Sequence, residues 1–496
     1  MPRPFRCNAP LQKRPAERRG GLDEGRTCLG AQGGSRCDCE RPGYTHGAGS
    51  GRAANRRSAG RMSDARDLPS NDHHLGSDAR AKRTPLPLFL TLMLLVSAFN
   101  IGDRLLIGIV AEPIKHEFHL TDAMMGLLSG TAFALVYPPL GLPIAALADR
   151  LNRKNILAWC LGLWSFATLL AGLAGNFWQL VLTRLGVAAG EAGFVPPTHS
   201  LIADYVSERH RARAFSVIAA GAALGSLMAN IAGGALTDAY GWRSAFLVLG
   251  LFGVVLALLV RMLVREPPRV VLPPARGPER SVLLSIMRNR AIMLCITGSA
   301  FHLMYVYAAA TWSVPFYVRA FKTSLLEAGL LVGAGGAIAA ALGGIAGGFA
   351  GDWFAARDRR WLAFWPAATV AAAAPFAVLG YLGGSVTMVF SGLLAATFLN
   401  ALYQSSTYAL VQAEVGNRGR ATAAAFMIFV QNLIGLGLGP LAVGLLSDWL
   451  AGSFGPRALG VALAGANLLN LVAALFFLAS GLAMARGPSV QQESAR

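Results

Sequence analysis

Twelve long apolar stretches lie between about Leu86 and Ala485, and no water-soluble domain can bury twelve of them. A helix needs roughly 20 apolar residues to cross ~30 Å of hydrocarbon, and it is favoured there because it satisfies its own backbone hydrogen bonds. The pattern predicts spans at about 86–110, 122–148, 154–174, 177–201, 212–239, 243–264, 291–318, 325–354, 360–383, 385–410, 420–449 and 458–485. Only 14% of the residues are charged. What such a chain does must therefore be read from the few polar groups its apolar segments keep. The 57 glycines suit helices whose backbones approach closely.

A formal net charge of +18 raises nucleic acid as a partner, but the placement of the charge argues against it. With the N-terminus in the cytoplasm, the inner loops and tail after the first span hold 20 Lys and Arg, including Arg150, Arg153, Lys154, Arg213 and Arg420. The outer loops hold five: Lys115, Arg243, Arg319, Lys322 and Arg457. The basic excess is thus a topology signal that places both termini on the cytoplasmic side of the cell membrane. No nucleic-acid partner is expected.

Residues 1–84 are rich in Arg, Gly, Ser and Pro and cannot bury enough apolar surface to fold alone, so a cytoplasmic tail is expected. Cys7, Cys28, Cys37 and Cys39 lie in it without zinc-finger spacing. Met62 opens an ordinary polar leader, so residues 1–61 are expected to be absent if translation starts there. Cys160 and Cys295 sit in separate spans as core thiols.

The polar loop 265–290 divides the spans six and six, giving a first half at 85–264, a second at 291–485 and a short tail at 486–496. The halves repeat one another. "AALADRLNRK" (145–154) and "GFAGDWFAARDRR" (348–360) each place an aspartate, Asp149 or Asp352, at a helix end before basic residues. Arg211-Ala-Arg213-Ala opens the fifth span and Arg418-Gly-Arg420-Ala the eleventh; they close on "GALTD" at Asp238 and "GLLSD" at Asp448. A repeated six-helix unit is the architecture of alternating-access carriers.

On these residues the chain resembles the major facilitator superfamily, with Asp149-Arg150-x-x-Arg153-Lys154 in place of its signature between the second and third helices. Ala145 and Asn152 stand where glycine is usual. Within the superfamily, "FNIGDRLLIG" (99–108), "RLGVAAGEAG" (184–193) and "GWRSAF" (241–246) resemble the spinster-like transporters, although Ile101 replaces their usual aromatic residue. The resemblance implies an all-α membrane protein of twelve transmembrane helices in two six-helix halves, acting as a monomer, without cofactor, on a small-molecule or lipid-like substrate.

Four charges inside the first-half spans carry the functional reading: Asp103, Arg104, Arg184 and Glu191. A charge at the centre of a spanning helix costs roughly 2.5–3.5 kcal/mol on insertion scales. One arrangement turns Asp103 toward the central cavity and Arg104 toward a neighbouring helix or the substrate. Glu191 and Arg184 are two turns apart on one face, and either Arg104 or Arg184 is a natural partner for Glu191. A carboxylate poised between desolvation and a nearby cation can load and release a proton; a static packing bridge is the competing reading. In the second half, His302, Tyr305, Asn400, Gln404, Gln431 and Asn432 are candidates for the substrate cavity, with inter-helix hydrogen bonding as the alternative. A cavity charged on one side and neutral on the other suits an amphiphile or organic anion.

A cytoplasmic gate is expected at Asp149, Arg150, Arg153, Lys154, Asp204, Asp352 and Arg420. In it Asp149 sits beside the N-terminus of the eleventh helix, Arg153 pairs with Asp204, and both contacts break when that side opens. The alternative is a basic loop that only orients the helices. No glycine-rich run ends in Gly-Lys-Ser/Thr, so ATP cannot drive transport directly. No cluster of nucleophile, base or metal ligands points to an enzyme. A proton-linked secondary carrier is the leading function, with a receptor or a facilitated-diffusion carrier as alternatives.

Overall fold

The structure, a computed structural model, describes residues 84–267, 279–415 and 419–484. The tail with its cysteines and Met62, most of the central loop, and Arg418 lie outside the described residues. The elements are α1 (Leu86–Ile109), α2 (Ala111–Phe118), α3 (Asp122–Arg150), α4 (Arg153–Ala171), α5 (Phe177–Glu191), α6 (Val195–Tyr205), α7 (Arg211–Tyr240) and α8 (Trp242–Leu263). After the central loop come α9 (Glu279–Arg288), α10 (Arg290–Phe321), α11 (Leu325–Ala355), α12 (Trp361–Tyr381), α13 (Val386–Ala401), α14 (Gln404–Glu414), α15 (Arg420–Val430), α16 (Gly437–Phe454), α17 (Ala458–Ala466) and α18 (Leu468–Met484).

Ten described segments are long and apolar enough to cross a membrane, the last being the whole stretch Thr422–Met484. The expected span 177–201 is missing from that set because its helix breaks at 192–194. Pro196 and Pro197 follow the break, and proline has no N–H to continue a helical ladder. The helix starts are chemically marked. Asn152, Asn176, Asn289 and Ser385 each accept a hydrogen bond from the backbone N–H three residues on. Wide π-turns interrupt the ladders at Leu127–Thr131, Leu331–Gly335 and Gln431–Leu436.

Helices before and after the central loop meet along three seams: α1 on α10, α3 on α16, and α7 on α11. Within the first group, α7 lies directly against α1, and a side chain at Gly225 would collide with the carbonyl of Ala98. The apolar core is distributed unevenly along the bundle. One cluster (Phe89, Trp164, Val260) belongs to the first group, apart from Leu436, and another (Ile296, Leu410, Phe477) belongs wholly to the second. The largest runs across both, from Ile114, Leu120 and Trp242 to Trp312, Phe316 and Tyr381. These residues lie at the end where α3 and α11 begin. The two groups thus share a core at the Asp122 end and keep separate cores toward the Asp149 end.

Candidate transport site

The charge cluster is assembled by α1, α4 and α5. Successive residues of a helix point about 100° apart, so Asp103 and Arg104 leave α1 in different directions. Asp103 is fully buried; its Oδ1 accepts from the Thr168 hydroxyl at 2.8 Å, and its Oδ2 lies 3.9 Å from Nη1 of buried Arg184. Arg104 donates to Glu191 Oε2 from Nη2 at 2.6 Å and from Nε at 3.2 Å. Its guanidinium lies 4.7 Å from the ring centres of both Phe133 and Tyr137. Aromatic faces attract cations, so α3 fixes the guanidinium plane while leaving the side chain 13% exposed.

These positions reverse one expectation. Asp103 does not face a cavity but packs against α4 and α5, and Arg104 is the charge that retains access. The Gly102–Gly225 approach brings α7 against that face of α1, which leaves Asp103 only the α4–α5 side. Glu191 takes Arg104 as its partner. Arg184 instead faces Asp103 and the Phe133 ring at 5.9 Å, and none of its guanidinium nitrogens hydrogen-bonds to a described residue. Asp103 Oδ2 and Glu191 Oε1 are likewise buried without a hydrogen bond to a described residue. The cluster therefore keeps donors and acceptors without partners among the described residues in a low-dielectric space, where each electrostatic interaction is stronger than in water.

From α10, Tyr307 packs against the same core that holds Phe133 and Tyr137, and it donates to Asn432 Oδ1 at 3.3 Å. Tyr307 and Asn432 thus join the second group of helices to the core beside Arg104's aromatic partners. The other second-group candidates separate. His302 is wholly buried, 2.9 Å from Asn470 through Nδ1, and its ring lies against Tyr403 at 4.2 Å. Asn470 donates to Asn467 and Asn400, and Asn467 to the Ala374 carbonyl. This buried amide chain ties α10 to α12, α13 and α18, so His302 and Asn400 are packed among helices away from the charge cluster. Tyr305 belongs to the shared core, Gln431 is buried in its π-turn, and Gln404 is exposed at the α13–α14 break.

At the Asp122 end an ion network crosses the α10–α3 boundary. Arg319 donates to both oxygens of Asp122 at 2.7 Å and to Glu112 at 2.7 Å. Asp122 also accepts from Lys115 and from the Ser447 hydroxyl. Beside it, hydrogen bonds from Arg243 and Trp242 hold Glu117 below the ordinary carboxylate range. At the opposite end Asp149, Arg150, Asp352 and Arg420 are exposed.

Residues 92–440 match the profile of the Major Facilitator Superfamily. The chain belongs to the major facilitator superfamily. An MFS-type efflux pump of Mycolicibacterium smegmatis is 34% identical over 382 residues, covering 77% of this chain and 88% of the relative. Protein spinster homolog 1 of Xenopus tropicalis is 27% identical over 418 residues, covering 78% and 79%. Among solved structures, a bacterial homolog to the human lysosomal transporter Spinster, in an inward-facing and unoccupied conformation, superimposes with a TM-score of 0.75 at 29% identity, covering 83% of this chain and 98% of that one. This major facilitator protein is a multi-pass integral membrane transporter of spinster type that acts on small molecules, and not an enzyme.

One part of the expected gate is differently built in this transporter. Arg153 pairs with Asp204 at 2.6 Å, but also with Glu266 at 2.8 Å and the Ser200 hydroxyl at 2.8 Å, and Glu266 caps α4 at the Lys154 N–H. Arg153, Ser200 and Asp204 precede the central loop and Glu266 is its second residue, so the contact joins α4 and α6 to the segment that leaves α8. The predicted Arg153–Asp204 pair is thus present, as a tie within one group of helices that also takes in Glu266. Sequence reading missed Glu266, the Arg319–Asp122–Glu112 network and the Phe133–Tyr137–Tyr307 surround. The first two were legible only as charges at helix ends. Phe133 and Tyr137 do carry a signal, one helical turn apart on a span facing "GDR".

Proposed function

We propose that the protein is an alternating-access secondary carrier of twelve spans in two six-helix halves, seen here facing inward. The reading counts α5–α6 and α13–α14 as one broken span each and divides Thr422–Met484 at the turn Gly455–Arg457. The observation that carries it is the uneven core: shared at the Asp122 end, split at the Asp149 end, with the charge cluster between. The excess of Lys and Arg on the Asp149 side makes that side cytoplasmic. The inward-facing state of the spinster homolog supports the same assignment.

In this mechanism protons load at Asp103 and Glu191. The passenger is an amphiphile or organic anion whose negative group meets Arg104 between Phe133, Tyr137 and Tyr307. A proton on Glu191 weakens its hold on Arg104, freeing the guanidinium for that group. In proteoliposomes, a panel of single-chain phospholipids and aromatic carboxylates is expected to include a compound that accumulates against its gradient when a pH gradient is imposed. A protonophore should abolish the accumulation. Uptake indifferent to the pH gradient would leave facilitated diffusion, and no uptake of any member would remove the amphiphile assignment.

Asp149 supplies the other half of the cycle. In the outward-facing state it meets the N-terminus of α15, where a carboxylate gains about 0.3–1 kcal/mol when exposed and up to ~2 when partly buried. Asp149→Asn leaves every Lys and Arg in place, so insertion should be normal. Loss of ~1.4 kcal/mol shifts the ratio about tenfold toward the inward-facing form. Cysteine probes in the cavity should then react faster from the cytoplasmic side. Unchanged reactivity leaves this loop with only an orienting role.

A further inference from the structure

The two repeats "GALTD" and "GLLSD" come together at the Asp122 end in a reciprocal arrangement. Asp448, in the last two turns of α16, accepts from the backbone N–H groups of Asp122 at 2.9 Å and Ala123 at 2.8 Å, the first two residues of α3. Asp238, near the end of α7, accepts from those of Leu325 at 3.3 Å and Leu326 at 2.9 Å, the first two residues of α11. In both helices the third N–H is taken by the chain's own cap: Met124 donates to Thr121 and Glu327 to Ser324. A helix start leaves four N–H groups without helical partners; in each helix two of them are satisfied by a carboxylate from across a seam, and in α11 Glu327 also accepts from the Ser324 N–H at 3.1 Å.

The glycine four residues before each aspartate faces the same seam. A side chain at Gly444 would collide with the carbonyl of Asp122, and one at Gly234 with that of Leu325. The pattern Gly-x-x-x-Asp therefore does two things one helical turn apart: the glycine admits the partner helix and the aspartate caps it. Both aspartates carry helix-terminus stabilisation that exists only while the seam is shut. The seams differ in one respect. Asp122 is also held by Arg319, Lys115 and Ser447, whereas α11 is held at Leu325 and Leu326 by Asp238.

We infer that Asp238 and Asp448 form a paired latch, each half of the protein capping a helix of the other, and that this latch sets how readily the end opposite the cytoplasmic gate opens. This rests on the alternating-access reading. Opening exposes four backbone N–H groups and two carboxylates to water at once, so the two seams release together.

The test uses the full chain in nanodiscs, with the native cysteines replaced and spin labels at Gly175→Cys and Gly384→Cys. Both sites are exposed at this end, one on each side of the seams. Distances are measured without passenger or pH gradient. Without further substitution a single short distance is expected. Asp238→Ala should add a longer one, raising the open-to-closed ratio about fivefold, as loss of one cap does. Asp448→Ala should do so less, because Arg319 still holds Asp122, and the double variant should do so most. Asp238→Asn, which keeps a capping oxygen, should restore much of the short distance. If the double variant does not give monodisperse protein, Gly234→Ala with Gly444→Ala carries the same expectation through sterics alone. An unchanged short distance in the double variant, or in the glycine pair when that is used, overturns the latch. A transport assay does not enter the outcome, so failure of the latch and failure of the carrier reading are distinguishable.

Discussion

Glu191→Gln and Asp103→Asn are each expected to abolish accumulation driven by a pH gradient while leaving a folded protein that still binds passenger. Both replacements keep an oxygen in place. The introduced glutamine could still accept from Arg104, and the introduced asparagine from Thr168, so the hydrogen bonds at 2.6 and 2.8 Å survive in neutral form. What is lost is the ability to gain and shed a proton. A hydrogen bond to a charged group contributes about 1.5–3 kcal/mol, against about 1 for a neutral one, so passenger affinity should change by roughly tenfold and the driven flux by far more. The Glu191 variant should bind an anionic passenger more tightly, because Arg104 is no longer matched by a full negative charge. Uptake with and without the gradient, alongside passenger-induced thermal stabilisation, separates the two effects. Retention of full gradient-driven uptake in both variants would place the coupling proton elsewhere.

Arg184→Met is expected to cause the largest loss of stability of any single change in the cluster. Methionine keeps the apolar stem beside Phe133 but removes the cation 3.9 Å from fully buried Asp103. Removing one member of a buried pair costs about 3–5 kcal/mol, mostly because the other charge is left without compensation. Neutralising that charge should remove the penalty, so Arg184→Met with Asp103→Asn should recover much of the melting temperature. The two changes should then be strongly non-additive. Thermal unfolding of the four proteins in one detergent gives the coupling directly. A melting temperature for Arg184→Met equal to that of the unsubstituted chain would mean that the Arg184–Asp103 contact contributes nothing. The contrast with Arg104 is instructive, since Arg104 combines two hydrogen bonds, two ring faces and partial exposure. Arg184 is buried, and beyond Asp103 it has the more distant Phe133 ring.

The helices were legible in the sequence because hydrocarbon imposes a length on them, and the exposed spans Trp242–Leu263 and Leu325–Ala355 lie close to where the pattern put them. The breaks in the fourth and tenth spans were less so. Hydropathy averages over a window and does not register that Pro196 and Pro197 have no N–H. Partners were harder still. Spacing put Arg184 and Glu191 on one face, yet each pairs with a residue of α1, because distance along a helix says nothing of what a third helix inserts between. Asp238 and Asp448 were visible as a repeat, but their capping role depends on which helix starts lie across the seams. That is a property of the folded bundle.

Asp103, Arg104, Arg184 and Glu191 together carry two positive and two negative charges when all are ionised. A set of fixed charges that sums to zero does no net work against a membrane voltage when access alternates around it. The empty carrier's return step should therefore be electrically silent. One proton on the set leaves a single excess positive charge, worth about 2.3 kcal/mol per 100 mV if it crosses the whole field. A singly anionic passenger bound with that proton brings the sum back to zero, whereas a neutral passenger does not. The current that accompanies uptake would thus count the charge of the passenger before its structure is known.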